Sequence, residues 1–170
     1  MPKLRIDWRQ LRLCDNRRWL CLSLAVIVLD QLSKFLIQHF LNPYQSVSLL
    51  PHLNLVCMHN TGAAFSMLNQ TPANIFAALA GIVALGIFWW LYRHPREQTL
   101  VAAGLCLILG GAIGNALDRL SRGFVVDFID FYIGNWHFAA FNLADSAITI
   151  GAGCLLLDGL LDYVASRRQR

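Results

Sequence analysis

Seven polar side chains interrupt otherwise apolar stretches of this sequence: Asp30 and Lys34 in one, Asn115, Asp118 and Arg119 at the end of another, Asn142 and Asp145 at the start of the last. Residues three or four apart share a helix face, so each group can point one way together. Charges in such surroundings cost several kcal/mol unless paired or solvated, and one polar pocket between helices would satisfy them all. A further acid, Asp127, lies in the run Phe124-Val125-Val126-Asp127-Phe128-Ile129-Asp130, flanked by Val126 and Phe128, where it is held close to hydrocarbon. Asp130 in the same run is assigned a solvated or structural role. Like charges held close in a poorly solvated site cannot both ionise, so Asp127 and Asp145, approaching one pocket, keep one proton between them and supply an acid and a base together. Such a pair activates water without a covalent intermediate, and peptide hydrolysis is the concrete reaction. Asp30 with Lys34 also reads as a structural ion pair, and Arg119 as an interfacial anchor. Spacing alone leaves both uses open.

Rival chemistries are poorly supplied. The sequence has no GxSxG, no HExxH and no Walker-type loop. Its histidines, His39, His52, His59, His94 and His137, show no i,i+4 pairing, and its cysteines are scattered without CxxC spacing. Neither a metal site nor a disulfide framework is expected, and no cofactor. Cys57 and His59, two apart in an extended segment, give only a weak thiol-protease arrangement.

The elements that must position these residues are membrane spans. Apolar residues make up 56% of the chain against 14% charged, and mean hydropathy is +0.49, too oily for an ordinary soluble domain. One domain over residues 1–170 is expected, with spans at about 19–41, 72–92, 100–117 and 141–164 and outward segments at about 42–71 and 118–140. Six of the 14 Lys and Arg residues precede Trp19, and others fall at Arg93, Arg96 and the Arg167-Arg168-Arg170 tail, which places both termini in the cytoplasm. The +4 net charge therefore reads as topology information, with no nucleic-acid partner expected. Counted from the inner ends at about 1.5 Å per residue, Asp30 rises roughly 16 Å, Lys34 roughly 22 Å, Asn115 roughly 24 Å and Asp145 roughly 27 Å, all into the outer half. In the first outward segment Val47 and Leu49, then Leu53, Leu55 and Cys57, alternate across Pro51 as half-buried strands do, and Gly134-Asn135 signals a turn in the second. A small β-element on the outer membrane surface is the expectation. Gly110, Gly111 and Gly114 on the third span, and Gly151 and Gly153 on the fourth, suit close helix approach.

Four blocks in order closely resemble the lipoprotein signal peptidase (signal peptidase II) family. They are Asp30-Gln31-Leu32-Ser33-Lys34; Asn60-Thr61-Gly62-Ala63-Ala64-Phe65-Ser66; Gly110 to Arg119 with Gly123-Phe124-Val125-Val126-Asp127-Phe128; and Phe141-Asn142-Leu143-Ala144-Asp145-Ser146. The resemblance implies an aspartyl endopeptidase of the bacterial inner membrane. Its four transmembrane helices would carry a small periplasmic β-element, and it would remove signal peptides from diacylglyceryl-modified prolipoproteins before the lipidated cysteine. On that footing Asp127 and Asp145 are the catalytic pair. Asn60, Gly62, Asn115, Arg119 and Asn142 line the site and hold substrate, and Asp30, Lys34 and Asp118 support it. Lipidated prolipoproteins and membrane lipids are the expected partners, the chain acting as a monomer, with Gly62-Ala63-Ala64 closing over the peptide. The alternative from another class is a small proton-coupled carrier with the two acids as a relay, for which four spans in one orientation are few. A purely structural assembly factor leaves the intramembrane polar residues without a use.

Overall fold

Four runs without an internal proline form the long helices α1 (Arg17–Phe40), α2 (Ala73–Arg93), α3 (Thr99–Arg122) and α4 (Leu143–Arg168). Each is long and apolar enough to cross a membrane. The structure, a computed structural model, describes residues 17–62, 72–93 and 98–168. The basic tail before residue 17, the Ala63-Ala64 cover and Arg96 lie outside the described residues.

Helix α3 is the hub and packs against the other three. It manages this because its glycines remove side chains where neighbours press in. A Cβ at Gly104 would meet the Gly151 carbonyl oxygen at 2.8 Å, and one at Gly110 would meet the Ser23 carbonyl oxygen and Val26 Cβ, each at 2.8 Å. A Cβ at Gly114 would sit 2.7 Å from an Asp30 carboxylate oxygen. Backbones approach this closely where lipid offers no hydrophobic drive for association. Gly153 departs from expectation: nothing lies within 4 Å of its Cβ position, so it takes no part in the α3–α4 contact. Ile87, Leu91, Ala102, Cys106 and Leu109 form the core at one end of the bundle.

At the other end sits an antiparallel sheet of β1 (Ser46–Leu50), β2 (Leu53–Asn60), β3 (Val125–Ile133) and β4 (Trp136–His137), in that spatial order. Ile37, Cys57, Val126 and Phe128 pack as a second core that fastens the end of α1 to it. The β1–β2 connection turns at His52 (φ 69°) and the β3–β4 hairpin at Gly134 (φ 61°), the positive φ that glycine adopts without strain.

The largely helical membrane fold with a small sheet agrees with the sequence reading. Details differ. Helix α3 runs to Arg122, past the expected limit near Leu117, because no breaker intervenes before Gly123, which ends it in the left-handed region with its N–H on the Arg119 carbonyl. Asp118 and Arg119 are therefore helical. Strand β1 is exposed along its whole length rather than half-buried, being an edge strand with nothing packed over either face among the described residues. The Phe124–Asp130 run that carries Asp127 is largely an interior strand of the sheet, and apolar residues on both faces hide its alternation.

Candidate active site

Helix α4 begins at the site. Asn142 is its N-cap: Asn142 Oδ1 accepts the Asp145 N–H at 3.0 Å, and Asp145 Oδ2 accepts the Asn142 N–H at 3.3 Å. This reciprocal pair is a capping box, so local helix chemistry fixes the Asp145 carboxylate. A third orphan donor of the helix end, the Ala144 N–H, goes to Asp30 Oδ1 at 3.0 Å, a cap supplied from α1.

Strand β3 delivers the second acid. Asp127, 3% exposed, lies across from Met58, beside a register shift between Leu55 and Met58. Asn60 Nδ2 donates to Asp127 Oδ2 at 2.8 Å and Asn142 Nδ2 donates to Asp127 Oδ1 at 2.7 Å. Asn142 therefore contacts both carboxylates, through its amide and through its backbone. Burial pushes the Asp127 carboxyl from 3.8 up to about 6; the Asn60 hydrogen bond opposes the rise, the Asp145 charge adds to it, and Asn142 and Lys34 oppose it.

Asn115 closes the arrangement, donating from Nδ2 to Asp145 Oδ1 at 2.8 Å. Arg119 donates to the Gly62 carbonyl at 2.7 Å and lies 4.6 Å above the Phe76 ring, which ties the end of β2 to α2. The Gly62 N–H is held by Asn60 Oδ1 at 2.9 Å. Asn60, Asn115, Arg119, Asp127 and Asp145 line one cavity of about 690 Å³ together with Ser146, Thr149 and a larger apolar set that includes Phe138, Phe141, Ile148 and Ile150. A mostly apolar lining with a few polar groups suits a backbone amide carried on a greasy chain.

Asp30, Lys34 and Asp118 form a fully buried cluster that does not line this cavity but reaches it through Asn115, whose Oδ1 accepts from Lys34 Nζ at 3.0 Å. Lys34 Nζ lies 2.8 Å from Asp30 Oδ2 and 2.9 Å from Asp118 Oδ2, and Asp118 also pairs with Arg122. Asp118 thus turns away from Arg119, although both are on α3. Sequence reasoning missed Gln31, which donates to Asp118 Oδ1 at 3.0 Å and to the Gly114 carbonyl at 3.1 Å. It also missed Phe76 and the Phe138–Phe141 wall. Gln31 stood within a singled-out block, but a helix neighbour one residue away does not share its face. Asp130 is buried and structural, holding Asn54 Nδ2 at 2.9 Å and His137 Nδ1 at 2.9 Å.

The thiol alternative does not survive. Cys57 is 1% exposed and its thiol is pushed up by burial, while the His59 ring is stacked on Phe124 at 3.9 Å. Among the described residues no cluster of His, Cys, Asp or Glu is placed to hold a metal ion.

Two solved chains share this architecture. A bacterial membrane enzyme solved by the in meso method at 2.3 Å matches with a TM-score of 0.79 at 29% identity, covering 86% of this chain and 89% of that one. A second, at 1.9 Å, matches with a TM-score of 0.75, also at 29% identity, covering 84% and 92%. Fold and spans are thus those of a multi-pass bacterial membrane enzyme. The profile of the family Signal peptidase (SPase) II matches residues 22–161. A lipoprotein signal peptidase of Coxiella burnetii is 49% identical over 146 residues, 84% of this chain and 90% of that protein. Those of Alteromonas mediterranea and Acinetobacter baylyi are 45% and 47% identical, covering 83% and 84% of this chain and 79% and 82% of theirs. The chain belongs to the signal peptidase II family, and its activity is that of a peptidase acting on lipoprotein signal peptides.

Proposed function

We propose that the chain is an aspartyl endopeptidase in which Asp127 and Asp145 activate water against the peptide bond preceding the lipidated cysteine of a prolipoprotein. One observation carries the reading: Asn142 is hydrogen-bonded to both carboxylates at the wall of a single cavity. Asp145, which accepts from Asn115 and from the Asn142 N–H, is the base. Asp127, buried and lifted to about 6 in the neighbourhood of the Asp145 charge, carries the shared proton.

In the forward step Asp145 takes a proton from water, the water oxygen bonds to the scissile carbonyl carbon, and Asp127 donates its proton to the carbonyl oxygen. The resulting gem-diol collapses as Asp127 recovers a proton from one hydroxyl and Asp145 delivers its proton to the leaving amine. The carbon–nitrogen bond breaks, and both acids return to their starting states. Asn60, Asn115 and Arg119 face the substrate backbone from the cavity, while the fully buried Asn142 holds the acids and Gly62 is fixed between Arg119 and Asn60. The apolar wall takes the side chains of the signal segment, and the acyl chains stay in lipid, contributing about 0.8 kcal/mol per buried CH₂.

Arg93 ends α2 and Arg167 and Arg168 end α4, at the bundle end opposite the sheet. Their charge supports an orientation with both termini cytoplasmic and the cavity near the periplasmic face. The test is cleavage of a lipidated preprotein by reconstituted Asp127→Asn and Asp145→Asn, variants that keep shape and remove the acid–base pair. Each is expected to be folded and to leave the substrate unprocessed; normal processing by either would end the aspartyl assignment.

A further inference from the structure

We infer that Lys34 is a positioning residue for the reaction: it fixes which end of the Asn115 side-chain amide faces Asp145. The inference rests on the reading of Asp145 as the base. Lys34 Nζ is fully buried among three oxygens, Asp30 Oδ2 at 2.8 Å, Asp118 Oδ2 at 2.9 Å and Asn115 Oδ1 at 3.0 Å. An ammonium group has three N–H donors and no lone pair, so every partner must present an acceptor. Asn115 is thereby held with its oxygen on Lys34 and its Nδ2 on Asp145 Oδ1 at 2.8 Å. A half-turn of that amide would set NH₂ against the ammonium and oxygen against the carboxylate, replacing two charge-assisted hydrogen bonds with two repulsions.

The other donor onto Asn115 Oδ1, Asn142 Nδ2, is at 3.3 Å and has a closer acceptor in Asp127 at 2.7 Å, so Lys34 is the controlling contact. The ion cluster does not need Asn115 for its own sake. Two carboxylates, Asp30 and Asp118, face two cations, Lys34 and Arg122, and the charges balance without it. What the third Lys34 contact adds is direction. Asn115 offers Asp145 only a donor, which suits a carboxylate that must be ionised to take a proton from water.

The test uses the full chain in lipid with a lipidated peptide substrate. Lys34→Met combined with Asp118→Asn removes one buried charge of each sign, and Lys34→Gln is the second variant. The expected result is a kcat lower by about 10–100-fold, with KM and the Kd of an uncleavable lipopeptide unchanged within about twofold. The Asn115 side-chain NH₂ resonances, assigned through Asn115→Leu, are expected to shift in both variants, and in the wild-type background on Asp145→Asn. Wild-type kcat in a variant that binds the lipopeptide overturns the inference, as does a parallel loss of kcat and binding, which a merely structural cluster would give. Asp145→Asn runs in the same assay: if it cleaves normally, the base assignment and this inference fall together, whereas an inactive Asp145→Asn beside a fully active Lys34 variant removes only the inference.

Discussion

Asp127 owes its chemistry to an interior strand that buries it while Asn60 and Asn142 hold both its oxygens. Its folded-state carboxyl, at about 6 against 3.8, binds its proton more tightly than the unfolded chain does. The stabilisation from this group is therefore full below about pH 4 and is lost as pH rises to about 6, a change of up to about 3 kcal/mol at about 1.4 kcal/mol per unit. Denaturation of the wild type and of Asp127→Asn across that window checks the sign: the wild type is expected to lose stability as pH rises, by a decrement that the variant lacks. Asn60→Ala removes a donor that favours the charged form, so the Asp127 midpoint is expected to move above about 6 in carboxyl-labelled NMR. The two acids were legible in the sequence because a carboxylate in an apolar run is conspicuous. Gln31 and Phe76 were not, because their roles arise from which helices pack together, and Arg122 was not, because its partner four residues back on the same helix counts only once α3 runs past Leu117.

At the scale of elements, the start of α4 is the part that must not move. A Cβ at Gly111 would clash with the carbonyl of Ala144, one residue from Asp145, and meet Ile148 Cγ1 at 2.7 Å. Gly111→Ala is therefore expected to destabilise by about 1–3 kcal/mol and to lower turnover, while Gly153→Ala, with open space around it, leaves both unchanged. Thermal unfolding and peptide turnover of the two variants decide this. Asn142→Ala removes the cap, costing about 0.5–2 kcal/mol, and strips the side-chain donor from Asp127 while leaving the backbone N–H on Asp145, so its activity is expected to fall further than its stability. The long apolar helices were readable from composition and length. The Val125–Ile133 strand was not, since its apolar residues face both the α1 core and the cavity, which erases the two-residue period.

Taken whole, the molecule is a four-helix bundle that carries its polar machinery at the sheet end and its described arginine-rich helix ends, Arg93 and Arg167-Arg168, at the other. The orientation proposed from that asymmetry predicts labelling of a cysteine placed at the exposed Ser48 by a membrane-impermeant maleimide added outside spheroplasts. In the same cysteine-free background, one placed at Arg168 is expected to react only after lysis. Reversed reactivity would place the cavity at the cytoplasmic face. The central claim is that Asp127 and Asp145 act as one coupled acid–base pair, and the most direct measurement is the titration of the Asp127 carboxyl by carbon-13 NMR in the reconstituted protein. A midpoint near 6 is expected, falling in Asp145→Asn because the neighbouring charge that raises it is gone. A midpoint near 3.8 in the wild type, or one that Asp145→Asn does not move, would contradict that coupling.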